Sequence, residues 1–297
     1  MVIALLVLFV QLAPNKATAL ALKATRKHSG LTRKKLVLPD GTRYVYLEGG
    51  AGVPLMMLHG FGGDKDTFTR VARYLVKRYR LIIPDIVGFG ESSHSTTTDY
   101  SPVAQAERLR MFAQALQLNN VHLAGNSMGG QIALVYAALY STEVMSMWLI
   151  GPAGIWSASK SHVFNVYAET GRNLLIARDD KEFKEVMALG IFKPPRIPKP
   201  MLTVLAKQRI ENAALEERIF KQLLAASLEK QIQGLKTATL IMFGERDQVI
   251  PLDTADILRE LLPNSKTVLI KNAGHVAMFD QPSRCARQYL LFRESIH

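Results

Sequence analysis

The chain has 297 residues, 48 % of them hydrophobic and 21 % charged, with a formal net charge of +12. That composition suits a globular chain with a large core and excludes a disordered or disulfide-built protein; the single Cys285 reads as a small apolar residue of a C-terminal helix. Nucleic acid is not an expected partner, because +7 of the charge comes from Lys16, Lys23, Arg26, Lys27, Arg33, Lys34 and Lys35, and no aromatic-interleaved basic repeat or zinc-finger spacing accompanies them.

The chain opens with MVIALLVLFVQLAP. This apolar run falls short of the roughly 20 residues that span a bilayer and suits the apolar region of a signal peptide, with Ala17-Thr18-Ala19 as a cleavage site. No Lys or Arg precedes it, and the positive charges after it would resist translocation and favour anionic lipid headgroups. Residues 1–30 are therefore expected to be an uncleaved, membrane-associating segment. Secretion after cleavage is the alternative, and a longer anchor shortened by a wrongly chosen start would look the same.

From residue 31 onward, short aliphatic runs alternate with longer amphipathic ones, the pattern of a mostly parallel sheet flanked by helices. Strands are predicted near 33–38, 43–48, 54–58, 80–84, 121–125, 144–150, 238–243 and 266–270. Helices are predicted near 66–78, 103–118, 128–140, 253–262 and 280–294, with Pro102 after Ser101 and Asp253 as start signals. Between 153 and 235 no strand is evident, and helical segments surround IFKPPRIPKP. The economical organisation is a core of residues 31–152 and 236–297, with residues 153–235 inserted after the sixth strand as a helical lid.

In VHLAGNSMGG, residues 121–130, an aliphatic strand runs into a serine set among glycines. Strand, G-x-S-x-G and helix together make a nucleophile elbow, a strained turn that exposes the Ser127 hydroxyl at the sheet edge. Gly125 and Gly129 are expected there because side chains would collide where strand and helix cross. The Met128 N–H then points, with the helix N-terminus, at the space above Ser127.

A serine hydroxyl needs a base and an orienting carboxylate. His275, in KNAGHVAMFDQP just past the last strand, is the best-placed histidine; His122 lies inside a strand and His94 in a polar loop. Asp247, in LIMFGERDQVIP, is the expected acid, with Glu245, Asp253 and Asp280 as competitors. The order serine, aspartate, histidine is that of an elbow-bearing α/β sheet.

The loop after the third strand, HGFGGDKD, offers Phe61 N–H as a second oxyanion donor beside Met128 N–H. The same loop resembles a dinucleotide fingerprint, with Gly60, Gly62 and Asp85, but Lys65 stands where the third glycine belongs. No P-loop and no histidine pair at metal-ligand spacing occurs, so neither a cofactor nor a metal is expected.

With these motifs in order, HGFGG, PDIVGFGESS, GNSMGG, FGERD and NAGH, the chain resembles the α/β-hydrolase superfamily from residue 33 to its end. HGFGGDKDTFTRVARYL, GNSMGGQIALVYAALY and GPAGIWSA are similar to bacterial membrane-associated lipases and esterases and to the monoacylglycerol-lipase branch. The resemblance implies hydrolysis of carboxylic or lipid esters through an acyl-enzyme. Carbon–carbon hydrolysis of ring-cleavage products and a non-catalytic binding module remain the alternatives. Phe61 and Trp156 are the candidate substrate-binding residues; Ile155, Trp156, Phe164 and Tyr167 would either wall an acyl chain or pack the lid onto the core.

Overall fold

The computed structural model describes residues 2–296. Eight strands, β1 (Thr32–Val37), β2 (Arg43–Gly49), β3 (Val53–Leu58), β4 (Tyr79–Pro84), β5 (Val121–Asn126), β6 (Val144–Ile150), β7 (Thr239–Gly244) and β8 (Ser265–Ile270), form one sheet in the order β1-β2-β4-β3-β5-β6-β7-β8. Pairing of β1 with β2 and of β2 with β4 is antiparallel, and the other pairings are parallel. Every expected strand is present within a residue or so of its expected ends.

The helices in chain order are α1 (Val2–Leu12), α2 (Pro14–His28), α3 (Thr69–Leu75), α4 (Pro102–Ala115), α5 (Met128–Leu139), α6 (His162–Thr170), α7 (Asp180–Gly190), α8 (Lys199–Glu211), α9 (Ala213–Leu224), α10 (Glu229–Ile232), α11 (Thr254–Leu261), α12 (Ala277–Asp280) and α13 (Pro282–Glu294). Alternate strand residues face opposite sides, so two apolar layers form. Met56, Ile82, Leu123, Leu149 and Phe243 pack with residues of α4, α5 and α11. Leu55, Leu81, Ala124, Trp148 and Met242 pack on the other side with α3 and α13. The central strand β5 is buried along its whole length, as a strand covered on both faces must be.

Three helix boundaries differ from expectation for local reasons. The helix expected over 66–78 divides into a 3-10 turn, Lys65–Phe68, and α3, because the Asp64 carboxylate caps the turn by accepting from Asp66 N–H at 2.8 Å. The helix expected to reach 118 stops at Ala115, since Gln117 takes a left-handed φ of 57°. The last long helix starts at Pro282, whose fixed φ suits a first helical position, and a separate turn, α12, precedes it.

The N-terminal segment is folded onto the molecule. α2 packs against α3 and α8, and α1 touches α8. Arg26 makes a two-pronged bond to Asp66, at 2.7 and 2.5 Å, and Ser29 Oγ donates to Thr69 O at 2.7 Å. Ala17 and Thr18, inside the expected cleavage triplet, are buried within α2. Part of the basic charge is spent internally, since Arg26, Arg33 and Lys34 pair with Asp66, Glu91 and Glu48. No helix among the described residues is long and apolar enough to cross a membrane.

Between β6 and β7 lie α6 to α10, with the proline-rich run joining α7 to α8. Parallel order reverses at β3, which pairs with β4 on one side and β5 on the other. The loops leaving the carboxyl ends of β3 and β5 therefore part around a crevice, the place where open α/β sheets put their chemistry.

Candidate active site

At the end of β5 the backbone of Ser127 has φ 54° and ψ −118°, a conformation that costs a non-glycine residue on the order of 1–3 kcal/mol. Ser127 N–H donates to Ile150 O at 3.0 Å, and Ser127 O accepts from Gln131 N at 3.0 Å and Ala153 N at 3.1 Å, so the turn is held from β6 and from α5. The glycines are there for space. A Cβ on Gly129 would stand 2.1 Å from Leu58 O, and one on Gly125 would stand 2.3 Å from Gly129 O. Either contact is impossible, so α5 can cross the ends of β3 and β5 only without side chains at these points.

His275 follows β8, and its Nδ1 lies 2.8 Å from Asp247 Oδ2 in the loop after β7. A carboxylate only accepts, so the proton of this bond sits on Nδ1, and Nε2 is the ring nitrogen on the side away from Asp247. Asp247 Oδ1 accepts from Val249 N at 2.8 Å and Ile250 N at 3.0 Å, which fixes the carboxylate plane. The pair is nearly sealed, with side chains 8 % and 0 % exposed.

Two residues join this pair to the elbow. Asn126, next to Ser127, donates through Nδ2 to Ile150 O at 2.9 Å and to His275 O at 3.0 Å. Gly151, at φ 49°, leaves room where a Cβ would lie 2.9 Å from Asp247 Oδ2 and 3.1 Å from His275 Nδ1. The acid thus fills the space beside β6 from the neighbouring strand β7. Ser127 and His275 are both buried at the carboxyl edge of the sheet, 8 % and 7 % exposed.

The rival carboxylates have other partners. Asp280 accepts from Gly274 N at 2.9 Å and Phe192 N at 3.0 Å, Asp253 accepts from Ser159 N at 2.9 Å, and Glu245 lies 3.5 Å from Asn272 N. His122 is buried in β5 with Nδ1 2.9 Å from Ser146 Oγ, and His94 Nδ1 is 2.7 Å from Ser92 O.

The loop after β3 lies against the elbow: a Cβ on Gly60 would stand 3.1 Å from Ser127 Cβ. His59 shapes this loop from below. Its Nε2 accepts from Ile86 N at 2.9 Å, which leaves Nδ1 to donate to Gly60 O at 2.8 Å. Complete burial holds this imidazole neutral, with its pKa lowered to about 4. Gly63 N closes the turn onto Gly60 O at 3.0 Å. Phe61 N–H has no hydrogen-bond acceptor among the described residues, and Met128, first residue of α5, has an N–H without an intrahelical acceptor.

A family model described as the alpha/beta hydrolase fold matches residues 53–282. The chain belongs to the α/β-hydrolase family. It is similar to Lipase 1 of Psychrobacter immobilis, 38 % identical over 94 % of this chain and 92 % of that one. It is also similar to monoacylglycerol lipase ABHD6 of Homo sapiens, 31 % identical over 82 % of this chain and 76 % of that protein. Among solved structures, a membrane phospholipase A described as a bacterial virulence factor superposes with a TM-score of 0.92, at 33 % identity, over 99 % of this chain and 96 % of that one.

In this α/β hydrolase the dinucleotide-like features have a different use. Lys65 Nζ reaches Asp85 Oδ2 at 2.8 Å and Glu91 at 2.9 Å, and Lys65 N donates to Asp85 Oδ1 at 2.7 Å. Asp85 is thus a buried tie between the loops after β3 and β4. Among the described residues no group of three or more His, Cys, Asp or Glu side chains is arranged to hold a metal ion. The Cys285 thiol, fully buried, is pushed up to about 12 by desolvation.

Phe61 meets Phe89 and Phe220 edge-on, each at 5.5 Å between ring centres. Trp156 meets Phe164 edge-on at 5.6 Å and donates through Nε1 to Ala226 O at 2.8 Å. Asn126, Gly151 and the His59 tautomer lock escaped sequence reasoning. Only the motif membership of His59 and Asn126 hinted at them, since their partners Ile86, Ile150 and His275 come from other strands or the loops after them.

Proposed function

We propose that this α/β hydrolase cleaves carboxylic esters of lipids, with Ser127 as nucleophile, His275 as base and Asp247 as the orienting acid. The observation that carries the reading is the 2.8 Å His275–Asp247 hydrogen bond beside the strained Ser127 turn. Ser127 Oγ attacks the ester carbonyl while His275 Nε2 takes its proton, and Asp247 stabilises the resulting imidazolium. The oxygen that gains negative charge is received by the N–H groups of Phe61 and Met128. His275 returns the proton to the departing alcohol, leaving an acyl-serine. Water, deprotonated by the same imidazole, then attacks the acyl carbon, and His275 returns that proton to Ser127 Oγ as the acid leaves.

Lipid esters are the favoured class because the similar proteins are named lipase, monoacylglycerol lipase and phospholipase. Residues 153–235 act as the lid, and its aromatic residues Trp156, Phe164 and Tyr167, with Phe61, wall the acyl chain. Turnover of p-nitrophenyl esters in wild type and in Ser127→Ala tests the mechanism: a loss of about 10⁴-fold or more is expected, and unchanged turnover refutes it. A ring-fission dienone run in parallel should not be consumed.

The N-terminal segment places the enzyme on a lipid surface. α1 exposes Leu5, Val7, Leu8 and Leu12, and α2 exposes Leu20 together with Lys16, Lys23 and Lys27. Exposed leucines on α1 beside exposed lysines on α2 suit helices that lie in the interface of an anionic membrane. Replacing Leu8 and Leu12 by Glu should lower sedimentation with anionic vesicles at least about tenfold, each lost leucine being worth roughly 1.5–3 kcal/mol when fully buried. Equal partitioning of variant and wild type would remove this assignment.

A further inference from the structure

Arg209 stands near the end of α8 and reaches onto the loop that follows β3. Its Nε donates to Glu216 Oε1 at 2.7 Å, and its Nη2 donates to Glu216 Oε2 at 2.9 Å and to Leu175 O at 2.5 Å. The two side chains are 13 % and 2 % exposed. Burial pushes the Glu216 carboxyl upward, and the guanidinium opposes that shift. A buried pair of this kind carries a desolvation cost that well-packed apolar residues would not, so joining α8 to α9 does not by itself account for it.

The guanidinium has a second contact. A Cβ on Gly62 would lie 2.1 Å from Arg209 Cζ, 2.3 Å from Nη2 and 2.4 Å from Nη1. The planar group is therefore laid against the Gly62 backbone, in the space any larger residue would claim. Gly62 is also at φ +65°, where other side chains are strained. One turn beyond Glu216 on the same face of α9, Phe220 presses on the ring of Phe61. Gln208, beside Arg209, donates to Gly90 O in the loop after β4. One face of the insertion thus bears on Phe61 and Gly62, the residues that carry and follow the proposed oxyanion donor.

We propose that Arg209 is a positioning residue for ester hydrolysis: held by Glu216 and Leu175 O, its guanidinium presses on Gly62 and fixes the turn that aims Phe61 N–H at the developing oxyanion. The inference rests on Phe61 N–H being that donor. A planar cation with several donors suits the task, because it grips a carboxylate in two places and still lies flat on a peptide backbone.

The test compares wild type with Arg209→Ala and Arg209→Lys on a short, soluble p-nitrophenyl ester, with melting temperature recorded for each. Both variants should lose about 10- to 100-fold in kcat at nearly unchanged KM, somewhat less than removal of an oxyanion donor itself. Methylguanidinium in solution should restore part of the loss in Arg209→Ala. If that variant does not fold, Arg209→Lys decides: it keeps a positive charge beside Glu216, yet an ammonium cannot lie flat on Gly62. Wild-type kcat in a folded variant, or a rise in KM alone without rescue, overturns the proposal. The rate of Ser127 labelling by a fluorophosphonate separates the two readings. No labelling of wild type defeats the catalytic assignment, whereas equal labelling rates in wild type and Arg209→Lys defeat only the role given to Arg209.

Discussion

The sheet edge and the helical insertion are held by different forces. Strands β3 to β7 are buried nearly end to end in aliphatic layers, Ser127 and Asp247 stand on loops that leave β5 and β7, and His275 follows the edge strand β8. The insertion buries far fewer side chains; Ile155, Ile219, Leu223, Leu228 and Ile232 join the core layer, and aromatic edges and polar ties add to them. Those ties include Gln131 Nε2 to Leu223 O at 3.2 Å, Tyr100 N to Gln222 Oε1 at 2.6 Å, and Arg218 Nη2 to Thr98 O at 2.9 Å. Apolar burial scales with area and dominates in the sheet, while in the insertion directional contacts add to a smaller apolar area and set its orientation. The lesson is that the residues proposed to react are placed by the sheet, while the insertion bears on the loop after β3 through Arg209 and Phe220.

The sharpest way to break that division is at the acid. Asp247→Asn should leave melting unchanged within a few degrees and lower kcat by about 10⁴-fold, because an amide in place of the carboxylate would favour the wrong His275 tautomer. A large loss of stability would mean that the carboxylate is part of the sheet's framework.

Glycine replacements probe the contrast next. Gly129→Ala forces a Cβ to within 2.1 Å of Leu58 O and should cost more than about 4 kcal/mol in a urea melt. Gly171→Ala, at the end of α6, meets nothing within 4 Å; its φ of +70° should cost only about 1–2 kcal/mol. Similar costs at the two sites would remove the distinction between rigid edge and adaptable insertion.

A third contrast, smaller than the Gly129 cost, is a pH dependence. His59 has a folded pKa of about 4, below the ordinary 6.5, so the unfolded chain binds the proton first as pH falls. Its contribution is present above pH 6.5 and is lost between 6.5 and about 4, to a total of about 3 kcal/mol. The difference in unfolding free energy between wild type and His59→Asn should shrink over that window. A pH-independent difference would show that the imidazole is not kept neutral by burial.

Strand positions were legible because runs such as LIIP and LIMFG are aliphatic on both faces and end at Pro or Gly. The elbow was legible because its glycines answer a crowding that any strand–helix crossing imposes. The N-terminal helices were less so: a leader-like apolar run masked the helix-forming stretch PNKATALALKATRKH, whose Pro14 is a first-turn signal. Arg209 and Glu216 were illegible, since nothing local says that an arginine of α8 meets Gly62.

The order of apolar and polar residues by itself determined which segments become strands and where a serine must be strained, because burial period and steric room at glycine are local properties. It also made the chain order of serine, acid and histidine readable. Only the tertiary structure decided that β7 delivers Asp247 into the space left by Gly151, that Asn126 braces the His275 backbone, and that Arg209 of α8 lies against Gly62 in the loop after β3. Those contacts join residues far apart in the chain, and packing geometry, which no local pattern encodes, selects them.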